Sequence, residues 1–231
     1  MPNVYMRVLD LFSGTGSIPK ELKPTDECIS VDIADTFHKP TILCDIMEWD
    51  YANTFPVGHF DVIFAGCPCT EYSRLRDCFR HTKPPRIEEA NKLVLRTLEI
   101  IEYFKPRYWF IENPDTGKLK DQSFMQDLPY RRTSYCMYGF DYRKLTRIWT
   151  NNERFQPKLC HRGSCGKVVA RRHPGSIGWK QSRTLAEKYS YPPLLVRELI
   201  DSCRTPESSS RTAADAEAEG AREAAASCVV S

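Results

Sequence analysis

The stretch from Phe60 to Ser73, FDVIFAGCPCTEYS, restricts the fold more than any other part of this chain. A short apolar, β-branched run over Asp61 to Ala65 breaks off into Gly66-Cys67-Pro68-Cys69 and a polar tail. A run of that length without polar alternation is buried on both faces, as strands inside a parallel sheet are. Open α/β sheets place their ligand crevices at the carboxyl ends of such strands, so the two cysteines stand where a nucleophile belongs. One residue between two thiols is too few for a zinc knuckle, which uses two to four. Taken alone, the stretch reads first as a pair of buried cysteines serving as small apolar groups.

Its neighbours along the chain narrow the choice. Arg7 to Phe12 (RVLDLF) is a second short strand, followed at once by Ser13-Gly14-Thr15-Gly16-Ser17 and a segment expected to open a helix. Glycines at that place let the backbone approach a ligand closely, and a helix amino terminus offers free N–H groups. The third glycine of the dinucleotide fingerprint is absent. Cys28 to Ile33 is the next strand and carries Asp32 near its end, placed to hydrogen-bond ribose hydroxyls. Thr41 to Cys44 runs into Asp45-Ile46 in the same way. A glycine turn and two acids at successive strand ends outline a crevice for a nucleoside cofactor.

Beyond the cysteines, Arg74 to Arg86 is a basic connection closed by two prolines, long enough to read as a lid or binding loop. Ile87 to Phe104 reads as an amphipathic helix, with Ile87, Ala90, Leu93, Val94, Leu98, Ile101 and Tyr103 or Phe104 on its inner face. Tyr108 to Ile111 is another buried strand, ending in Glu112-Asn113-Pro114. A carboxylate there, beside the Cys69 strand, is a second candidate catalytic group. Tyr135 to Thr150 alternates aromatic and basic residues and reads as two strands around a turn near Gly139 to Asp141. Leu185 to Cys203 contains a helix with Pro192-Pro193 at its start. Thr205 to Ser231 has almost no large apolar residue before Val229 and reads as a disordered tail.

Bulk properties set the outer limits. A length of 231 residues favours one domain with appendages. Ten cysteines in a chain of that length, behind an amino terminus unlike a signal peptide, read as reduced thiols of an intracellular protein, nuclear or cytoplasmic. No apolar run approaches the roughly 20 residues that span a membrane. The net charge of +3 conceals an uneven distribution: residues 130–184 hold thirteen Lys or Arg against two Asp or Glu, whereas residues 1–129 hold fifteen against twenty. That split points to a polyanion on the carboxyl-terminal half. Cys160, His161, Cys165 and His173 lie in the same segment at spacings that permit zinc. A second cysteine pair is lacking, so a polar substrate-binding loop without metal is expected.

In this order and spacing the motifs resemble those of the S-adenosylmethionine-dependent DNA (cytosine-5)-methyltransferases, over most of residues 6–203. The resemblance implies a Rossmann-like α/β fold, a mostly parallel sheet flanked by helices with a small basic substrate-binding region. It makes residues 1–150 the catalytic core, 151–184 a short target-recognition-like region, 185–204 a helix packing back on the core and 205–231 the tail. DLFSGTGS is similar to the donor-binding motif: Phe12 would face the adenine, Ser13, Gly14, Thr15 and Gly16 the methionine part, and Asp32 with Ile33 the nucleoside. Asp45 and Ile46 would hold the adenine, with Pro68 also against the cofactor. GCPCTEYS resembles the Pro-Cys motif, which makes Cys69 the nucleophile, and IENP the Glu-Asn motif, which makes Glu112 the cytosine-binding acid. Arg147 would complete the catalytic set, while Pro68, Thr70, Ser73, Arg74, Asn113, Arg143 and Lys144 would contact substrate. Thr70 stands where the family usually has Gln, and Leu145 where its Gln-x-Arg-x-Arg motif has an arginine. YSYPPLL replaces the usual Gly-Asn motif, a form similar to compact viral or phage members. The implied activity is methyl transfer to carbon 5 of a flipped cytosine in duplex DNA, by a protein acting as a monomer. RNA as substrate, or a silent nucleic-acid-binding role on the same fold, are the alternatives.

Overall fold

In the computed structural model, which describes residues 5–74, 81–82, 84–161, 163–169, 173 and 184–204, the apolar runs assemble into one sheet. Along the chain come β1 (Arg7–Leu11), β2 (Glu27–Asp32), β3 (Ile42–Leu43), the single turn α1 (Tyr51–Thr54), β4 (Val62–Ala65) and α2 (Ile87–Phe104). β5 (Tyr108–Pro114), the short α3 (Ser123–Gln126), β6 (Tyr130–Ser134), β7 (Leu145–Thr150), α4 (Leu185–Tyr189) and α5 (Pro193–Arg204) follow. Among the described residues the sheet has seven strands in the order β3-β2-β1-β4-β5-β7-β6. β1 to β5 are mutually parallel, and β7 runs antiparallel to both β5 and β6.

Strand alternation divides the core into two layers. Leu9, Leu11, Ile63, Ala65, Ile111 and Trp149 face α2, whose Ala90, Val94, Ile100 and Phe104 are buried against them. Val8, Val62, Phe64, Phe110 and Ile148 face the other way and meet Leu195, Val196, Leu199 and Ile200 of α5. Burying each such side chain stabilises by about 1.5–3 kcal/mol, so these two helices hold the sheet from both sides. Ion pairs of Arg197 with Glu21 and of Arg204 with Asp26 tie α5 to the connection between β1 and β2. None of the helices among the described residues is long and apolar enough to cross a membrane.

Three expectations change. The glycine turn opens no α-helix: Pro19–Glu21 is a single 3-10 turn, because Pro24 interrupts the next one. The strand expected after Tyr135 lies earlier, at β6, and residues 135–138 form a 3-10 turn that ends at Gly139, φ 101°. β5 extends through Pro114, three residues past its apolar run, because β7 pairs with it as far as Thr146. Within the expected basic loop Arg74 to Arg86, residues 75–80 and 83 lie outside the described part, as do 170–172, 174–183 and the tail 205–231.

Candidate active site

The chain fills the sheet outward from β1, first toward β2 and β3, then toward β4 and β5, so the order reverses between β1 and β4. A crevice opens at the carboxyl ends where that happens. Leu11 and Ala65 are register partners, and the Gly66 N–H donates to the Leu11 carbonyl at 3.1 Å. The glycine turn and the Gly-Cys-Pro-Cys loop therefore leave the sheet side by side.

On the β1 side, three alternate positions take left-handed backbone: Phe12 at φ 57°, Gly14 at 50° and Gly16 at 66°. For an aromatic residue this costs about 1–2 kcal/mol, a strain found at functional turns. Asp32 braces the turn: its Oδ2 accepts from the Gly14 N–H at 2.8 Å and its Oδ1 from the Ala34 N–H at 3.0 Å. Ile33 beside it is 69 % exposed despite being apolar. Asp45 follows β3 and accepts from the Met47 N–H at 2.9 Å, while the Ile46 side chain is buried in the core. Ser13 Oγ and Asp10 Oδ2 are buried without a hydrogen-bond partner, so polar groups around the turn are left for a ligand to satisfy. Burial drives Asp10 well above the usual carboxylate range, and nearby Asp32 adds to this.

On the β4 side the two cysteines separate. Cys67 is buried behind the strand, its Sγ 3.7 Å from Thr97 Oγ1, and burial pushes its thiol up to about 12. Its carbonyl accepts from Asn113 Nδ2 at 3.0 Å, which locks the loop to β5. Cys69 is half-buried and opens on the crevice between an exposed Pro68 and an exposed Thr70. Burial also raises its thiol and Glu112 adds to this, while the Lys144 ammonium works in the opposite sense. Tyr72, fully buried, bonds Asn91 at 2.8 Å and pins the turn that carries Ser73, and Arg74 reaches the Thr116 carbonyl at 3.0 Å.

Glu112 sits in a small polar knot. Its Oε1 accepts from Tyr135 Oη at 3.2 Å and from Lys144 Nζ at 3.1 Å, and Lys144 Nζ also donates to Tyr135 Oη at 3.4 Å. Asn113 Oδ1 is buried nearby without a partner. Arg147, expected in the catalytic set, is turned elsewhere: its Nε donates to Asp115 Oδ1 at 2.8 Å, and its guanidinium lies 3.8 Å from the Tyr130 ring centroid. Arg132 reaches the other Asp115 oxygen at 3.0 Å. Strand geometry is the cause, because Arg147 stands opposite Asn113 and beside Arg132 on the β7 ladder, within reach of the carboxylate just past β5. Lys144, read only as a substrate contact, is the cation on Glu112, while Arg143 is exposed.

Sequence reasoning missed Tyr191, although its Tyr-Pro-Pro context was visible. Its N–H donates to Ser17 Oγ at 3.1 Å, and a Cβ on Gly66 would collide with its hydroxyl. It thus bridges the glycine turn and the Cys69 loop. A cleft of about 580 Å³ opens behind it, between Ser17, Lys20, Gly139 to Tyr142 and Glu187, and touches neither Cys69 nor Asp32. The cleft holds none of the crevice's features; the strained turn, the exposed apolar residue and the Cys69 thiol near Glu112 mark the crevice as the candidate chemical site.

In the other expected cluster His161 is exposed and stands outside, and Cys136, distant in sequence, takes its place beside Cys160, Cys165 and His173.

Residues 6–124 match the family model of the C-5 cytosine-specific DNA methylases. The chain is 34% identical over 222 residues to a protein described as a probable DNA (cytosine-5)-methyltransferase of Frog virus 3 (isolate Goorha), spanning 86% of this chain and 100% of that one. DNA (cytosine-5)-methyltransferase 3 of Arabidopsis thaliana is 28% identical over 117 residues, 49% of this chain and 8% of the plant protein. A crystal structure described as a DNA modification methyltransferase encoded within an E. coli prophage superposes with a TM-score of 0.48 at 17% identity, over 68% of this chain and 52% of that one.

Proposed function

The chain belongs to the C-5 cytosine-specific DNA methylases, and from that premise we propose that Cys69 is the nucleophile and Glu112 the acid of its cytosine methylation, with S-adenosylmethionine as methyl donor. The observation that carries this reading is the convergence of Cys69 and the Glu112–Lys144–Tyr135 knot on the crevice at which the sheet order reverses.

The crevice suits a nucleoside bearing a charged amino-acid tail. Asp32 would take the ribose, Phe12 and Ile33 would flank the adenine, and the Ser13 to Gly16 turn would receive the amino-acid end. Asp45 would serve the adenine edge, with the Ile46 contribution confined to main chain because its side chain is core. When bound, S-adenosylmethionine supplies a methyl group on a sulfonium, an electrophile that unactivated cytosine cannot use.

Activation is the work of this chain's side chains. The Cys69 thiolate adds to carbon 6 of the cytosine, and Glu112 protonates or hydrogen-bonds ring nitrogen 3, so that electron density moves to carbon 5. Once carbon 5 is methylated, its proton is lost, the Cys69 sulfur leaves carbon 6 and the aromatic ring returns. Burial disfavours the Cys69 thiolate, so its deprotonation is tied to attack, and the Lys144 ammonium offsets part of the penalty. The base must leave the duplex to reach this depth, at a cost of a few kcal/mol. Arg74, Arg143 and the basic residues 130–184 supply phosphate contacts toward that cost. The protein acts on DNA as a monomer, in a reducing compartment that keeps Cys69 a thiol.

Duplex DNA containing 5-fluorocytosine should trap the adduct, because fluorine cannot leave as the carbon 5 proton does. A covalent complex stable to denaturation is expected with S-adenosylmethionine present and absent from Cys69→Ser. Folded protein that methylates DNA yet never forms the adduct sinks the assignment. Transfer to RNA of matched sequence, at a rate equal to that on DNA, would overturn the choice of substrate.

A further inference from the structure

Four soft donors converge on one point in a part of the molecule that regular secondary structure does not hold. Cys136 lies in the 3-10 turn after β6, Cys160 and Cys165 flank a tight turn, and His173 arrives from eight residues further on. Their ligand atoms all lie within 4.8 Å of one another. His173 Nε2 is 3.1 Å from Cys165 Sγ and 3.5 Å from Cys160 Sγ. A tetrahedral zinc ion with Zn–S near 2.3 Å and Zn–N near 2.0 Å sets its ligands about 3.5–3.8 Å apart, so the four stand almost at coordination distance.

The turn between the two cysteines is built for this. Gly163 at φ 88° and Gly166 at φ 71° reverse the chain on either side of Cys165. The Ser164 N–H donates to the His161 carbonyl at 2.9 Å, and that of Gly166 to the Gly163 carbonyl at 3.0 Å. Four residues separate the cysteines, within the spacing of structural zinc sites. Ser134 Oγ receives the Cys160 N–H at 3.3 Å, which fixes the turn against the end of β6. Three thiolates and one imidazole select zinc over the harder divalent ions, and the basic surroundings favour the net negative charge of such a centre.

We infer that Cys136, Cys160, Cys165 and His173 form a structural zinc site that clamps the basic segment to the sheet. Cys136 follows Tyr135, whose hydroxyl bonds Glu112, so the clamp also steadies the wall of the catalytic crevice. The metal site itself does not depend on how that crevice is read.

The test is metal analysis of the full chain expressed with zinc and purified without chelator. About one zinc per chain is expected, and cobalt in its place should show thiolate charge-transfer and tetrahedral d–d absorption. Cys165→Ser should lose most of the bound metal, Cys44→Ser should keep it, and His173→Cys should keep it with a shifted cobalt spectrum. Folded wild-type protein without zinc and without the tetrahedral cobalt spectrum overturns the site. So does a disulfide among the three cysteines, seen as a mass two hydrogens lower in metal-free protein, or metal retained by Cys165→Ser.

Discussion

Between β1 and β4 the polar groups of the crevice hang from the main chain, whereas between β5 and β6 they hang from one another. Asp32 holds the glycine turn through N–H groups, and the Cys69 loop is fixed by the sheet, by Asn113 and by the Tyr72 anchor. Across the crevice, Glu112 is oriented by Lys144 and Tyr135, and Asp115 binds Arg132 and Arg147. A parallel sheet delivers its strand ends to one place whatever their side chains. An antiparallel appendage must be cross-linked by its side chains, which makes it sensitive to single substitutions.

The largest effect should come from the first region. Cys69→Ser should lower methyl transfer on the order of 10⁴-fold or more while the donor still binds; radiolabelled transfer and equilibrium binding report the two separately. In the second region, Asp115→Ala leaves the mostly buried Arg147 unpaired and should cost about 3 kcal/mol in urea unfolding. A cost near zero would mean that the cross-links are ornamental and the contrast fails.

Gly66→Ala probes how the first region is closed. The new methyl meets the Tyr191 hydroxyl and should destabilise by about 1–3 kcal/mol, with much of the loss restored by adding Tyr191→Phe. Lys144→Met should act on chemistry more than on folding. Its ammonium favours the Cys69 thiolate, so its loss raises that thiol further and slows alkylation of Cys69 by iodoacetamide at neutral pH, with the rate profile moving to higher pH. An unchanged profile would detach Lys144 from the nucleophile. Smallest of all, removing Thr205 to Ser231 should alter stability by less than about 0.5 kcal/mol, since that segment has little apolar surface to bury.

How legible the molecule was follows the same division. The strands β1, β2, β4 and β5 and the full extent of α2 can be read from apolar runs and their breakers, because a buried parallel strand cannot be written in polar residues. Phe12 to Gly16, Asp32, Cys69 and Glu112 follow from position, since each lies near the carboxyl end of a strand or just past it. The start of β6, the role of Arg147 and the membership of Cys136 in the thiol cluster could not be read that way. Each depends on which segments the antiparallel ladder brings together, and spacing along the chain carries no record of that.

The amino-acid sequence by itself thus determined the sheet's parallel half and the placing of Cys69 and Glu112 near the carboxyl ends of its strands, because local hydrophobicity and turn chemistry specify where strands end. Only the tertiary structure decided that Lys144 rather than Arg147 faces Glu112, that Tyr191 closes over Gly66, and that Cys136 joins Cys160, Cys165 and His173. Those pairings span 24 to 125 positions and are set by register and packing, so they exist only once the chain has closed on itself.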